Sequence, residues 1–534
     1  MTISDQDPPQ REPDRGGKPE RFHATDFETS RALRDGLLGL GNAEPLPPDP
    51  PTIKQKQEAA RQLGDGEFAL SLVEDDVTPF QSSGEAYAVL CDKKGSHVIA
   101  LRSREFGALI RRRYRSETGC LLGKAAFGAA LQALIDKALD APDRTLHLRT
   151  APTSDGICLD LGGSERRAVM ITSDGYKLTD SPPAMFRASS GRLVEPAGSG
   201  DFALLRRHLN VRDAEFQLMV AWLTFAMCPT GPYPLLVLSG EQGAAKTTAS
   251  GVLRRLLDGN AFGGRPLPAS KRDLDAAARH AHLLSFDNVS YIAPTMSDSL
   301  ARLATGEEDG RRQLFTDGDE VVFQATRPIL VNGIANVITR PDLVDRSIFI
   351  QLPFIPRSQR LPREAFWQRF EQDAPAIMAG LLDLVACGLK LLPETVVNDL
   401  PRMADFAIWG SAIERAHWPE GSFMASYEAN IASGNTDLLQ VNDVAMAVVE
   451  LMSQRTCWTG TATQLLELLE SGRTSLQRRL RPLSPNAQRL SIELDRLTPV
   501  FRRRGIDVQG HQAPNRHRTR LITMSVGDDA IGHE

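Results

Sequence analysis

Apolar residues gather into three short runs in the middle of the chain: Leu235, Leu236, Val237 and Leu238; then Leu283, Leu284 and Phe286; then Ile329, Leu330 and Val331 after Pro328. Runs of this length without polar alternation predict strands covered on both faces, as in a parallel sheet. Between the runs the apolar spacing lengthens to three and four, predicting helices over residues 247–257 and 297–304. Strand alternating with helix gives an α/β core. Helical spacing also covers residues 202–209 and 214–227 ahead of the first run. After Pro356 it covers 363–392, and Pro401 lies near the first turn of one more helix, so a helical lid is expected to follow the core.

Outside this region the pattern changes. The first 51 residues hold nine prolines and many charges, too little apolar surface to offset chain entropy, with one short helical patch at 30–40. Residues 56–199 mix strand patterns at 86–90, 146–149 and 169–171 with a helical pattern at 127–139, and a glycine and proline cluster closes them at 196–200. Near the end, a helix over 485–504 is followed by strands at 506–508 and 519–524, the pattern of a winged helix. The 534 residues exceed what one hydrophobic core serves. The expected organisation is a disordered proline-rich arm (1–55), an α+β domain of unassigned role (56–199), a P-loop ATPase core (200–356), a helical lid (357–435) and a basic winged-helix-like DNA-binding domain (436–534).

The candidate chemistry begins where the first apolar run ends. Gly240, Glu241, Gln242, Gly243, Ala244, Ala245, Lys246, Thr247 and Thr248 fit G-x-x-x-x-G-K-[ST], except that Ala245 stands at the second motif glycine. Such a loop wraps backbone N–H groups around phosphates at a helix N-terminus, whose dipole favours negative charge. Lys246 would reach the β- and γ-phosphates of ATP and Thr247 would bind Mg2+. The second run ends in Asp287 and Asn288, where a P-loop enzyme keeps its magnesium-binding aspartate, so Asp287 is expected to share that metal; the bland alternative is a turn aspartate. The third run ends at Asn332, whose amide can orient water against the γ-phosphate or simply satisfy a turn.

These residues resemble an AAA+ ATPase, and minichromosome-maintenance helicases likewise carry alanine before the lysine. Asn332 resembles sensor 1. The corner Leu343, Val344, Asp345, Arg346, Ser347 and Ile348 resembles the one that supplies an arginine finger, with Arg346 in that role, Arg340 second to it, and a surface ion pair as the plain alternative. Arg402 would be a sensor-2 residue or another surface ion pair. Between Asp287 and Asn332, Leu303, Ala304, Thr305 and Gly306 lead to Arg311 and Arg312 and then to a hairpin pattern at Asp317 and Gly318. That insert resembles superfamily III helicases and the ATPase half of phage, plasmid and poxvirus primase-helicases, where it faces a central channel and grips single-stranded DNA. The resemblance covers residues 234–356. One position departs from it: AAA+ enzymes follow the magnesium aspartate with a water-activating glutamate, and Asn288 cannot act as a base. Asp298 or Glu307 would have to substitute, or hydrolysis is slow.

Bulk properties add little to this and remove some classes. Charged residues make up 24% of the chain and the net charge is -5, so any basic surface is local. From 471 to 524 there are twelve arginines, no lysines and three acids, which points Arg502, Arg503, Arg504, Arg516 and Arg518 at duplex DNA, with a protein-docking surface as the alternative. A second basic run, Arg111, Arg112, Arg113 and Arg115, is either a solvated helix face or a phosphate contact. Six cysteines without metal-ligand spacing and an apolar maximum at 218–227, short of a membrane span, predict a cytoplasmic protein with no membrane partner. No acidic triad of a primase precedes Gly200. The sequence therefore predicts an ATP-dependent DNA helicase or translocase of a phage, plasmid or integrated element, working as a homo-oligomer of which a hexameric ring is one form. A slowly hydrolysing switch ATPase for regulation or defence is the alternative.

Overall fold

The computed structural model describes residues 52–92, 95–163, 167–188, 191–259, 264–306, 325–333, 337–471, 483–512 and 520–526. The chain first builds an antiparallel sheet from β1 (Val77–Ser82), β2 (Glu85–Asp92) and β3 (Gly95–Ala100), covered by helices Ile53–Leu63, Asp65–Glu74, Arg104–Thr118 and Lys124–Leu139. An antiparallel meander of β4 (Thr150–Pro152), β5 (Gly156–Asp160), β6 (Ala168–Thr172) and β7 (Gly175–Thr179) follows. The strand expected at 146–149 is absent, with only one bridge from His147 to Phe186. Arg149 instead turns inward, 1% exposed, donating to the carbonyls of Asp160, Gly191 and Asp258 at 3.0 Å each. A buried guanidinium demands such partners.

The third sheet is parallel: β8 (Leu235–Ser239), β9 (Leu284–Val289), β10 (Ile329–Gly333) and β11 (Ser347–Gln351), in the order β11-β8-β10-β9. Arg265 adds one parallel bridge to β9 at Phe286. The unbroken apolar runs are explained by two cores. Leu236, Leu238, Leu330, Ile348 and Ile350 face one side, against helices Asp213–Phe225, Lys246–Leu257 and Arg363–Leu391. Leu235, Val237, Leu284, Phe286, Ile329 and Val331 face the other, against helices Lys271–Ala278 and Pro294–Thr305 and residues from 438 to 524. The meander's Ile157, Leu159, Val169 and Ile171 belong to the first core, so that core runs across residue 200. On the open edge of β11, Asn430 of helix Ser422–Val441 both accepts from and donates to the Phe349 backbone, which occupies groups a free edge would expose.

Beyond β11 the chain is helical. Helix Arg363–Leu391 continues through a 3-10 turn to Glu394, and by length and composition it could cross a membrane; 56% of its most apolar window is buried inside the protein. This helix exceeds 218–227 as the longest apolar element. Helices Ala404–His417 and Ser422–Val441 follow, the second spanning residue 435. The last segment runs helix Asp443–Ser453, β12 (Cys457–Gly460), helix Ala462–Ser471, helix Ala487–Arg503, β13 (Ile506–Gln512) and β14 (Arg520–Val526), with sheet order β12-β14-β13. The sequence pattern contained β13 and β14 in shorter form and missed β12.

Candidate functional site

Parallel sheets open a crevice at the carboxyl ends of their strands, and the candidate residues stand there. Gly240 and Gly243 carry φ of 149° and 90°, values that favour glycine, and a Cβ on Gly240 would lie 2.7 Å from the Leu352 carbonyl oxygen. Ala245 is left-handed at φ 64°, ψ 30°, immediately before helix Lys246–Leu257. A methyl group in that conformation costs about 1–2 kcal/mol, so the departure from glycine is a strained one. The Lys246 ammonium folds back over the loop, donating to the carbonyls of Gly240 at 2.7 Å and Glu241 at 2.9 Å. Thr247 Oγ1 donates to Asp287 Oδ1 at 3.4 Å, which brings a hydroxyl and a carboxylate from adjacent elements to one point.

Because β10 lies between β8 and β9, Asn332 is set between the loop and Asp287. Its side chain is 1% exposed, and its Oδ1 accepts the Asn288 N–H at 2.8 Å. Its Nδ2 is buried with no hydrogen-bond partner among the described residues. Asn288 itself is left-handed, φ 54°, beside a register shift between Val331 and Gly333. Asparagine tolerates that region several-fold better than glutamate does, which accounts for the residue found where a glutamate was looked for.

A cavity of about 760 Å3 opens beside the loop, lined by Gly243, Ala245, Thr247, Arg254 and Asp287 together with Arg207, Arg360 and Trp367. Neither Arg254 nor the last three was picked out from sequence; Arg207, Arg360 and Trp367 reach the cavity because the 3-10 turn before helix Asp213–Phe225 and the segment after β11 come to the loop. Arg254 follows Thr247 by two helical turns on the same face, which periodicity could have shown. Burial pulls its guanidinium below the ordinary value, and the Asp258 carboxylate opposes this.

The family model of the actinomycete integrative conjugative element replication protein matches residues 202–437, and that of the AICE RepA C-terminal domain matches 444–530. Together they cover more than half of the chain. The chain belongs to this family of mobile-element replication proteins. No curated protein matches it. Among solved structures it is similar to the SCCmec type IV Cch active helicase, with 11% identity, TM-score 0.43, and coverage of 84% of this chain and 93% of that one. It is also similar to the apo NrS-1 C-terminal region, again 11% identical, with TM-score 0.38 and coverage of 86% and 98%.

In this replication protein the remaining candidates that lie among the described residues stand apart from the cavity. Arg346 is 4% exposed and paired with Asp342 one turn earlier, so in this conformation it is an internal tie. Arg402 reaches the same Asp342 at 3.0 Å and is absent from the cavity walls, which makes it an ion-pair residue here. Arg340 pairs with Asp298 at 3.0 Å, and Asp298 does not line the cavity. Glu307, Arg311, Arg312, the hairpin pattern, Arg516 and Arg518 lie outside the described residues. At the end of helix Ala487–Arg503, Arg503 is tied to Asp345 at 2.8 Å and Arg504 donates to Thr436, whereas Arg502 is exposed with no acidic partner among the described residues. Arg489 and Arg496, two turns apart on one face of that helix, are exposed in the same way and were missed. In the other basic run, Arg113 pairs with Asp76 at 2.6 Å and Arg111 stacks 4.4 Å over Phe127, so half of it serves internal packing.

Proposed function

We propose that this replication protein is a P-loop ATPase of the AAA+ kind that moves along or opens DNA, acting as a homo-oligomer. The observation that carries the reading is the strand order β11-β8-β10-β9, which sets a buried amide with an unpartnered donor between a lysine-bearing glycine loop and an acidic strand end. The residues fit a magnesium nucleotide: Thr247 and Asp287 offer a hydroxyl and a carboxylate at one point. Among the described residues no three His, Cys, Asp or Glu side chains converge, so phosphate and water would complete the coordination, as is usual for this cation. When bound, the cation neutralises charge on the β- and γ-phosphate oxygens.

The side chains then have separate tasks. Lys246 exchanges the Gly240 and Glu241 carbonyls for phosphate oxygens. The Asn332 Nδ2 donor gains its missing partner in the attacking water or the terminal phosphate. Asn288 cannot take the proton, so hydrolysis is expected to be slow without DNA. At the C-terminus, the order helix, strand, two helices, two strands supports a winged-helix reading, with Arg489, Arg496 and Arg502 toward duplex phosphates. Membership of a replication family favours DNA movement over a regulatory switch. Lys246→Ala tests the site: in a folded variant, ATP binding should be lost, and unchanged affinity would remove the assignment.

A further inference from the structure

We infer that Arg360 is the residue through which the chain distinguishes a nucleoside triphosphate from a diphosphate at its own loop; the assignment rests on the nucleotide reading above. After β11 the chain turns through the 3-10 segment Arg357–Gln359, which returns residue 360 to the phosphate loop. The Arg360 side chain is already aimed. Its Nε donates to the Ile355 carbonyl at 3.1 Å and its guanidinium lies 5.4 Å from the centre of the Phe354 ring. Those two contacts hold the stem and leave the two terminal amino groups without a carboxylate partner among the described residues.

The terminal groups rest on the loop itself. A Cβ built on Gly243 would stand 2.6 Å from Arg360 Nη2, so the glycine serves two needs: a φ of 90° and room for a guanidinium. Arg360 also borders the cavity that Thr247 and Asp287 border. An unpaired, pre-oriented guanidinium beside a phosphate loop matches phosphate geometry with two parallel N–H donors, which an ammonium cannot do. The other arginines that family resemblance suggested for this work, Arg346 and Arg402, are both bound to Asp342. Lys246 sits at the helix start, whereas Arg360 lies against Gly243 at the cavity wall, and on this reading it is the third phosphate that reaches it.

Isothermal titration of the full chain with a non-hydrolysable ATP analogue and with ADP, both with magnesium, tests this. Arg360→Ala should weaken the triphosphate analogue roughly 10- to 100-fold and ADP less than about threefold, since hydrogen bonds to charged groups carry that much free energy. Arg360→Lys should recover only part, because the charge returns without the fork. A folded Arg360→Ala that keeps the wild-type ratio of the two affinities overturns the assignment. So does an equal loss for both ligands, which would mean that Arg360 only shapes the loop. Wild type that binds neither ligand overturns the nucleotide reading itself, and Arg360 with it.

Discussion

Replacing Asn332 by alanine separates what that residue does for the fold from what it does for the reaction. Its Oδ1 holds the Asn288 N–H at 2.8 Å, and its Nδ2 is buried with no partner among the described residues. A hydrogen bond of this kind stabilises by about 0.5–1.5 kcal/mol net, while an unsatisfied buried donor costs about 1–3 kcal/mol. Alanine removes both, so the two changes offset and the variant should unfold within about 1.5 kcal/mol of wild type in urea. Turnover should behave differently. A preorganised donor aimed at developing charge contributes roughly 10²–10³ in rate, so ATP hydrolysis at saturating ATP should fall by about that factor, with nucleotide affinity little changed. The assay is phosphate release by the full chain, paired with a denaturation curve for the same sample. Turnover within about threefold of wild type would refute the assignment of Asn332 to the reaction. A loss of stability above about 3 kcal/mol would refute the offset argument.

Two neighbouring positions and the basic tail are open to similar tests. Asn288→Gly should leave stability unchanged, since φ 54° suits glycine, whereas Asn288→Glu should cost about 1–2 kcal/mol and, by returning a base, raise the basal rate of hydrolysis; thermal melts and phosphate release check both. Arg502→Ala should weaken duplex DNA and reduce the slope of log affinity against log salt by up to about 0.9. Arg503→Ala, which breaks the tie to Asp345, should change the melting transition more than the salt slope, and equal slopes in both variants would place the DNA elsewhere.

The parallel sheet was readable because strands buried on both faces must be apolar throughout, and its three runs stood out for that reason. Thr247 and Asp287, expected to share a cation, have oxygens 3.4 Å apart. What sequence could not show is pairing across the chain. Arg346 and Arg402 stand where resemblance places catalytic arginines, yet both converge on Asp342, a partner that spacing marks for Arg346 alone. Arg149 looked like the end of a strand, because three carbonyls gathered from residues 160, 191 and 258 leave no local trace. Arg360 lies in an irregular segment with no periodicity to mark it. Asn288 was legible as a departure, but its cause, a left-handed backbone pinned by Asn332, is visible only in three dimensions.

The central claim is that nucleotide chemistry at the loop drives work on DNA. The direct measurement is the rate of ATP hydrolysis by the full chain with magnesium, with and without single-stranded DNA. The account predicts a slow basal rate that single-stranded DNA raises, and loss of both rates in Lys246→Ala. No hydrolysis under either condition, or a rate that Lys246→Ala leaves intact, would contradict it.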